Sequence, residues 1–468
     1  MTDIAEFDLA HAGARVTGHG LYAWLAEARE LLKLAGPLVL TQLAQMAIMT
    51  TDVIMLSHLN KSALASAGLG NTVFYFAWLI GCGPVAAVAP MIAHTLGANP
   101  NDRSGVRASV RMGFWSVAIT SVPLVAFLLF TKQVLVMLGQ KPDLAAGSGA
   151  FVTALCWGLP FSLGFQVLRG YSTSLSRPNA SLWVMAAGII FNACGDYALI
   201  FGHFGAPKLG LIGSGLASAS SYAFSFVAMA VIVCLTPSLR AYRIFRHFLR
   251  PRWETLWEVL SLGMPIGATM MFEAMLFNAA TLIMGTFGTA TVAAHMIAMN
   301  VPSITFMVPL GIGLAATVRV GLAAGASDIE AVRRAGYTAL LMGAGFMCLT
   351  AILLWTFPAS IVRLYVDRAG ANGDVLASAT VFLHVAAAFQ IFDGLQVVGA
   401  MSLRGLKDAR MPMWIAGGSY WLAGFPVCLW LAFGWHLRGL GIWIGLAFAL
   451  LVAAVALCTR FWYLTRPR

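Results

Sequence analysis

Charge is what this chain has least of. Asp, Glu, Lys and Arg make up 10% of its 468 residues, where a soluble domain carries roughly 25%. So little polar surface cannot cover a soluble fold of this length, so the surroundings must be mostly lipid. Acids are scarcer than bases, 18 against 29. Familiar catalytic signatures are missing as well. No G-x-x-x-x-G-K-[ST] is present, which removes a P-loop ATPase, and neither H-E-x-x-H nor G-x-S-x-G occurs. The seven cysteines, at 82, 156, 194, 234, 348, 428 and 458, include no C-x-x-C pair, so they suggest neither a disulfide framework nor a zinc site. A G-x-G-x-x-A at 311–316 follows no strand and fits helix packing better than a dinucleotide. The first thirty residues hold Asp3, Glu6, Asp8, Glu27 and Glu30 without the apolar stretch of a signal peptide.

What the chain does have is apolar length. Hydrophobic residues reach 60%, with a mean hydropathy of +0.82. Runs of about 20 apolar residues, broken by Gly, Pro and basic loops, predict twelve membrane-spanning helices. The expected organisation is a tail over 1–30, a first lobe of six spans over 31–235, a basic linker over 236–256, a second lobe of six over 257–463 and a short end at 464–468. Of the 29 Lys and Arg, 22 fall in the tail, the even-numbered loops and the C-terminus, against 7 in the odd-numbered loops. The positive-inside rule then places both termini in the cytoplasm. The net charge of +11 is mostly this asymmetry and gives no reason to expect a nucleic-acid partner. Within the linker, Arg240, Arg243, Arg246 and Arg250 alternate with Leu239, Tyr242, Phe245 and Leu249, a pattern expected of an interfacial helix on anionic lipid.

The two halves repeat one design. Pro37 in KLAGP returns as Pro265 in SLGMP, Asn71 as Asn300, and GCGPVAAV from Gly81 as GIGLAATV from Gly311. LRG at 168–170 and GLA at 215–217 return at 403–405 and 445–447, in the same order. Six spans bring the chain back to its starting side, so the halves share one orientation, as parallel repeats do. Repeats of this kind place a substrate path at their interface.

Four acids fall well inside spans: Asp52, Asp196, Glu273 and Asp393. A charge at the centre of a transmembrane helix costs about 2.5–3.5 kcal/mol on insertion scales, and intramembrane acids mark ion or substrate paths. A buried base could neutralise them, but Lys33, Arg169, Arg319 and Arg404 all lie toward the ends of their spans. Gln390, Asp393 and Gln396 share one helix face at spacings of three. Asn192 and Asp196 sit one turn apart on the fifth span, and Asp52 lies on a first-span stripe with Thr41 and Gln45. Asp52 and Asp196 fall at similar depth and could meet, which suits a shared proton or a dehydrated Na⁺. The histidines at 58, 94, 295, 384 and 436 have no ligand spacing and are expected to pack, with His295 a minor candidate for a relay.

LAGPLVLTQLAQMAIMTTDVIMLS in the first span, FEAMLFNAATLIMGTFGTATVAAHMIAMN around the seventh and IFDGLQVVGAMSLRGLKD in the tenth resemble the multidrug and toxic compound extrusion (MATE) family, and its bacterial norfloxacin-efflux branch in particular. The resemblance implies an all-α fold of twelve transmembrane helices in two pseudo-symmetric six-helix bundles around a V-shaped cleft. It implies antiport across the bacterial inner membrane, Na⁺ or H⁺ entering as a cationic or zwitterionic aromatic drug leaves, by a monomer without a cofactor. Glu273 and Asp393 match the family's C-lobe cation-binding acids, a candidate Na⁺ site. Asp52, Asn192 and Asp196 match the polar N-lobe cluster, and Gln45, Asn71, Asn300, Gln390 and Gln396 would line the path. Phe389 stands where some Na⁺-coupled members place Tyr, and Asp196 where others carry Asn. Both lobes are thus equipped, and the coupling ion stays open between Na⁺ and H⁺.

Two other classes fit less well. A flippase for lipid-linked oligosaccharides would need a basic cleft for pyrophosphate, whereas mid-span positions here carry acids. An intramembrane enzyme would need a nucleophile–base or metal constellation, and the residues show none.

Overall fold

A computed structural model describes residues 20–246, 248, 250–365 and 373–466. The acidic tail residues Asp3, Glu6 and Asp8 lie outside them. The described chain is helical and holds twelve helices long and apolar enough to cross a membrane. They are α1 (Leu21–Ser57), α2 (Lys61–Ala98), α3 (Arg103–Leu129), α4 (Pro142–Ser174), α5 (Asn179–Phe201), α6 (Leu211–Leu235), α7 (Trp253–Gly285), α8 (Thr289–Gly325), α9 (Ile329–Thr356), α10 (Gly373–Gly405), α11 (Arg410–Gly434) and α12 (Arg438–Thr465). The predicted count of twelve therefore holds. Several spans run longer than their apolar runs, α1 starting ten residues before the expected boundary at 31.

Capping and proline shape the ends and breaks. The Asn60 side chain accepts from the Ala63 amide at 2.6 Å, and Asp328 from the Ala331 amide at 2.9 Å, fixing the starts of α2 and α9. Pro84 precedes a turn at Ala87 that breaks α2, and a single 3₁₀ turn over Cys156–Gly158 interrupts α4. In α11 the regular ladder gives way twice to π-helical turns, over Gly418–Gly424 and Trp430–Gly434. Such widened turns are rare and re-aim the side chains they carry.

The chain divides into two compact units. One spans Leu40–Gly267; the other holds residues 20–39 together with those from Ala268 onward. The chain thus changes unit just after Pro37 in α1 and just after Pro265 in α7, two of the landmarks that repeat. In the first unit the start of α7 lies against α2 without room for a side chain. A Cβ added at Gly263 would meet the Pro84 Cα at 2.3 Å, and one at Gly83 would meet the Gly263 carbonyl oxygen at 2.7 Å. In the second unit the start of α1 approaches α8 in the same manner, a Cβ at Gly311 meeting the Val39 nitrogen at 2.8 Å. There the Arg319 guanidinium also holds the Glu27 carboxylate in a fork, at 2.8 and 2.6 Å, with both side chains largely buried.

The linker is not the interfacial helix its periodicity suggests. Among the described residues between α6 and α7, helix is confined to Pro237–Arg240, and Arg243 has a φ of 48°, outside helical geometry. Side chains of the bundle claim the linker's carbonyls instead. Tyr171 donates to Leu239 O at 2.6 Å, Arg107 to Tyr242 O at 3.0 Å and Trp115 to Phe248 O at 3.1 Å. Tyr242 and Ile244 are buried, while His247 and Leu249 lie outside the described residues.

Gly263→Val tests the glycine crossing. Forcing a branched side chain against Pro84 should destabilise the protein by about 1–3 kcal/mol or more, read as a lowered unfolding midpoint in detergent. The same change at Gly285, where nothing lies within 4 Å of an added Cβ, should be far milder.

Candidate functional site

Each unit gathers a polar cluster of its own. In the unit spanning Leu40–Gly267 the cluster lies between α1, α5 and α6. Ser214, Ser218, Ser221 and Ser225 recur along one face of α6, and all four are buried. Small residues let helices approach closely in lipid, and α5 meets this stripe through Gly188 and Gly195. Asn192 and Asp196, one turn apart on α5, are both fully buried. Asp52, near the end of α1, is half-buried and accepts from Ser218 Oγ at 2.9 Å. It also lies within side-chain reach of Asp196 and Asn192, so the two acids meet as their depths suggested. Donors and acceptors in the cluster are poorly matched. Neither oxygen of Asp196, nor Asp52 Oδ1, nor the Asn192 amide makes a well-aligned hydrogen bond.

In the unit that contains residues from Ala268 onward, the cluster lies between α7, α8, α10 and α11. Gln390, Asp393 and Gln396 are all buried on one face of α10. Glu273 on α7 is half-buried, faces Gln396 and lies within electrostatic range of Asp393. Gln396 Nε2 donates to the Tyr420 hydroxyl, which the first π-helical turn of α11 delivers. Thr305 on α8 donates to Gln390 Oε1 at 3.0 Å. Asp393 Oδ1 and Gln396 Oε1 remain without an aligned partner. An acceptor oxygen left unpaired in a buried site costs about 1–3 kcal/mol, more when charged. A proton or a bound cation would remove that penalty.

One expectation needs correction. Arg404 does not stay at the helix end away from the acids. It is buried, and its charge acts on both Glu273 and Tyr420. The residue lies three turns along α10 from Asp393, and a long side chain reaches back along its own helix. Arg169, from the matching LRG motif, donates through Nη1 to Gln42 on α1 at 2.7 Å.

Other residues singled out by sequence fall elsewhere. Gln45 is half-buried, while Asn71 and Asn300 are exposed. His295 is buried, with Nε2 3.1 Å from Thr281 Oγ1 and its ring edge-on to Trp443 at 5.7 Å. Phe389 is buried between Phe277 and Trp443, with ring centroids at 5.9 and 5.6 Å, so it contributes packing rather than a ligand. Sequence reasoning missed Tyr420, Ser218, Gln42 and Thr305. Ser218 was findable from the serine repeat on α6. Tyr420 was not, because a regular helix would have aimed it differently. Among the described residues, no three His, Cys, Asp or Glu converge as a metal site.

The charge of Arg404 near Glu273 has a measurable consequence. Arg404→Gln should destabilise the protein, and adding Glu273→Gln should restore part of the loss. A double-mutant cycle on unfolding midpoints should give a coupling of about 0.5–3 kcal/mol. Additive losses would mean that the two side chains do not interact.

Comparison with known proteins fits this architecture. The MatE family model matches the chain twice, over residues 37–198 and 265–430, starting at the two repeated prolines. A protein of Mesorhizobium japonicum named "Probable multidrug resistance protein NorM" is 41% identical over 96% of this chain and 96% of its own length. A protein of Brucella suis with the same name is 41% identical over 94% of this chain and 93% of its own. Among solved structures, the eukaryotic MATE transporter AtDTX14 superposes with a TM-score of 0.84 at 22% identity, covering 93% of this chain and 96% of that one. The chain belongs to the MatE family.

Proposed function

We propose that this protein is a secondary-active multidrug efflux antiporter, a transporter rather than an enzyme. It exports cationic or zwitterionic amphipathic compounds across a bacterial inner membrane in exchange for Na⁺ or H⁺, with both termini in the cytoplasm. The observation that carries the proposal is the pair of buried acid clusters whose oxygens lack aligned donors. Such groups change their preferred partner with the ion supplied, which is how a gradient is sensed without ATP. The NorM name of relatives at about 40% identity supports the drug-efflux assignment.

Roles follow from position. Asp52, Asn192 and Asp196 form one coupling site, and Glu273 and Asp393 form the other, with Gln390, Gln396 and Tyr420 supplying neutral oxygens. Each carboxylate can hold either a proton or a cation, and export follows if ion and drug stabilise different conformations. Gln45, Asn71 and Asn300 lie on the substrate path. Met and aromatic side chains, 22 Met and 29 Phe among them, suit a surface that accepts varied apolar cations.

Efflux of ethidium from liposomes under an imposed H⁺ or Na⁺ gradient tests this directly. Wild type should move dye under at least one gradient. Loss in Glu273→Gln and Asp393→Asn under Na⁺ assigns coupling to the second cluster, and loss in Asp52→Asn under H⁺ assigns it to the first. Dye movement under neither gradient, with all variants like wild type, would reject the antiporter.

A further inference from the structure

A second polar feature lies apart from the acid clusters, where α3 begins. A cavity of about 320 Å³ is lined by Ser104, Arg107, Ala108 and Arg111 of α3 and by Arg250, Pro251 and Arg252 of the linker. Its size is at the lower end for small-molecule sites. Among the described residues, four arginines and no carboxylate line it. The nearby Asp102 is otherwise engaged, accepting from the Ser104 and Gly105 amides at 3.1 and 2.9 Å as a helix cap.

These arginines are not a solvated surface stripe. Arg111, two turns inside α3, is buried, and its guanidinium lies within electrostatic range of both Arg107 and Arg252. Like charges spread apart in water unless the backbone holds them, and here it does. The linker is tied to α3 by the Arg107 and Trp115 bonds already described and by the Arg252 amide donating to Met112 Sδ at 3.3 Å. Phe114 packs against Phe245 and Phe248, with centroids at 6.2 and 5.7 Å. Converging guanidinium groups fixed on a small cavity match the tetrahedral oxygens of phosphate, which arginine grips through paired N–H groups. The cavity also lies where an apolar span ends, the level of lipid headgroups.

We propose that this arginine cavity binds a phosphate group, presented by an anionic phospholipid headgroup or as a free phosphate. The site is independent of the ion-coupling clusters and of the antiport assignment. It differs from diffuse attraction of a basic linker to the membrane because it takes one ligand and depends on named side chains.

Native mass spectrometry on the full chain in neutral detergent tests it, with dioleoylphosphatidylglycerol and inorganic phosphate as separate probes. Wild type should retain one bound molecule of one probe. Arg111→Gln and Arg250→Gln should each weaken that binding at least tenfold, while Arg240→Gln, outside the cavity, should leave it unchanged. Retention of the lipid alone identifies a headgroup site, and retention of inorganic phosphate a site for the free anion. Arg250 is exposed on the linker, so Arg250→Gln remains informative if Arg111→Gln fails to fold. Equal binding in all variants, or no retention of either probe, would overturn the proposal.

Discussion

A carboxylate inside a membrane helix must find a partner without help from water, and much of this structure answers that demand. Lipid offers no hydrogen bonds, so each acid has to be met by a protein donor, a base, a proton or an ion. Around Asp196 the answer comes from α6, whose buried serines and small residues let α5 come close while offering hydroxyls. Around Glu273 it comes from Gln396 and the charge of Arg404. In both clusters acceptor oxygens stay unmatched. That mismatch separates these clusters from a structural ion pair such as Glu27–Arg319, where two N–H groups satisfy two carboxylate oxygens.

The repeat explains what the halves share and where they diverge. Proline, glycine and the LRG motif recur because they build the scaffold: a proline inside the first helix of each half, a close crossing beside it, and an arginine directed at that helix. Arg169 reaches Gln42 on α1, and Arg404 acts on Glu273 on α7. The same device therefore meets an amide in one half and an acid in the other. Duplicated scaffolding with unequal chemistry fits a transporter in which one half can couple to the ion differently from the other.

The twelve spans and their order could be read directly, because lipid imposes length and apolarity on every crossing. The four acids stood out for the same reason, and the i, i+4 spacing of Asn192 and Asp196 placed them on one face. Interactions that cross between helices were harder to read. Arg404 looked terminal by its position in α10, yet it is buried and its charge acts on Glu273. Tyr420 enters the cluster through a π-helical turn that no periodicity announces. The linker failed for a related reason: its pattern suits a helix, but Tyr171, Arg107 and Trp115 take the carbonyls from outside. Sequence periodicity reports what a segment does alone; these features depend on neighbours distant in the chain.

Antiport through these acids requires ion and drug to oppose one another. Equilibrium binding measures this without transport: ethidium anisotropy on the purified protein, titrated with Na⁺ at fixed pH and then with acid at fixed Na⁺. Antiport requires at least one cation to weaken dye binding in wild type, and the effect should vanish when Asp52, Glu273 and Asp393 are all neutralised. Dye binding indifferent to both cations, or equally sensitive after neutralisation, would contradict it.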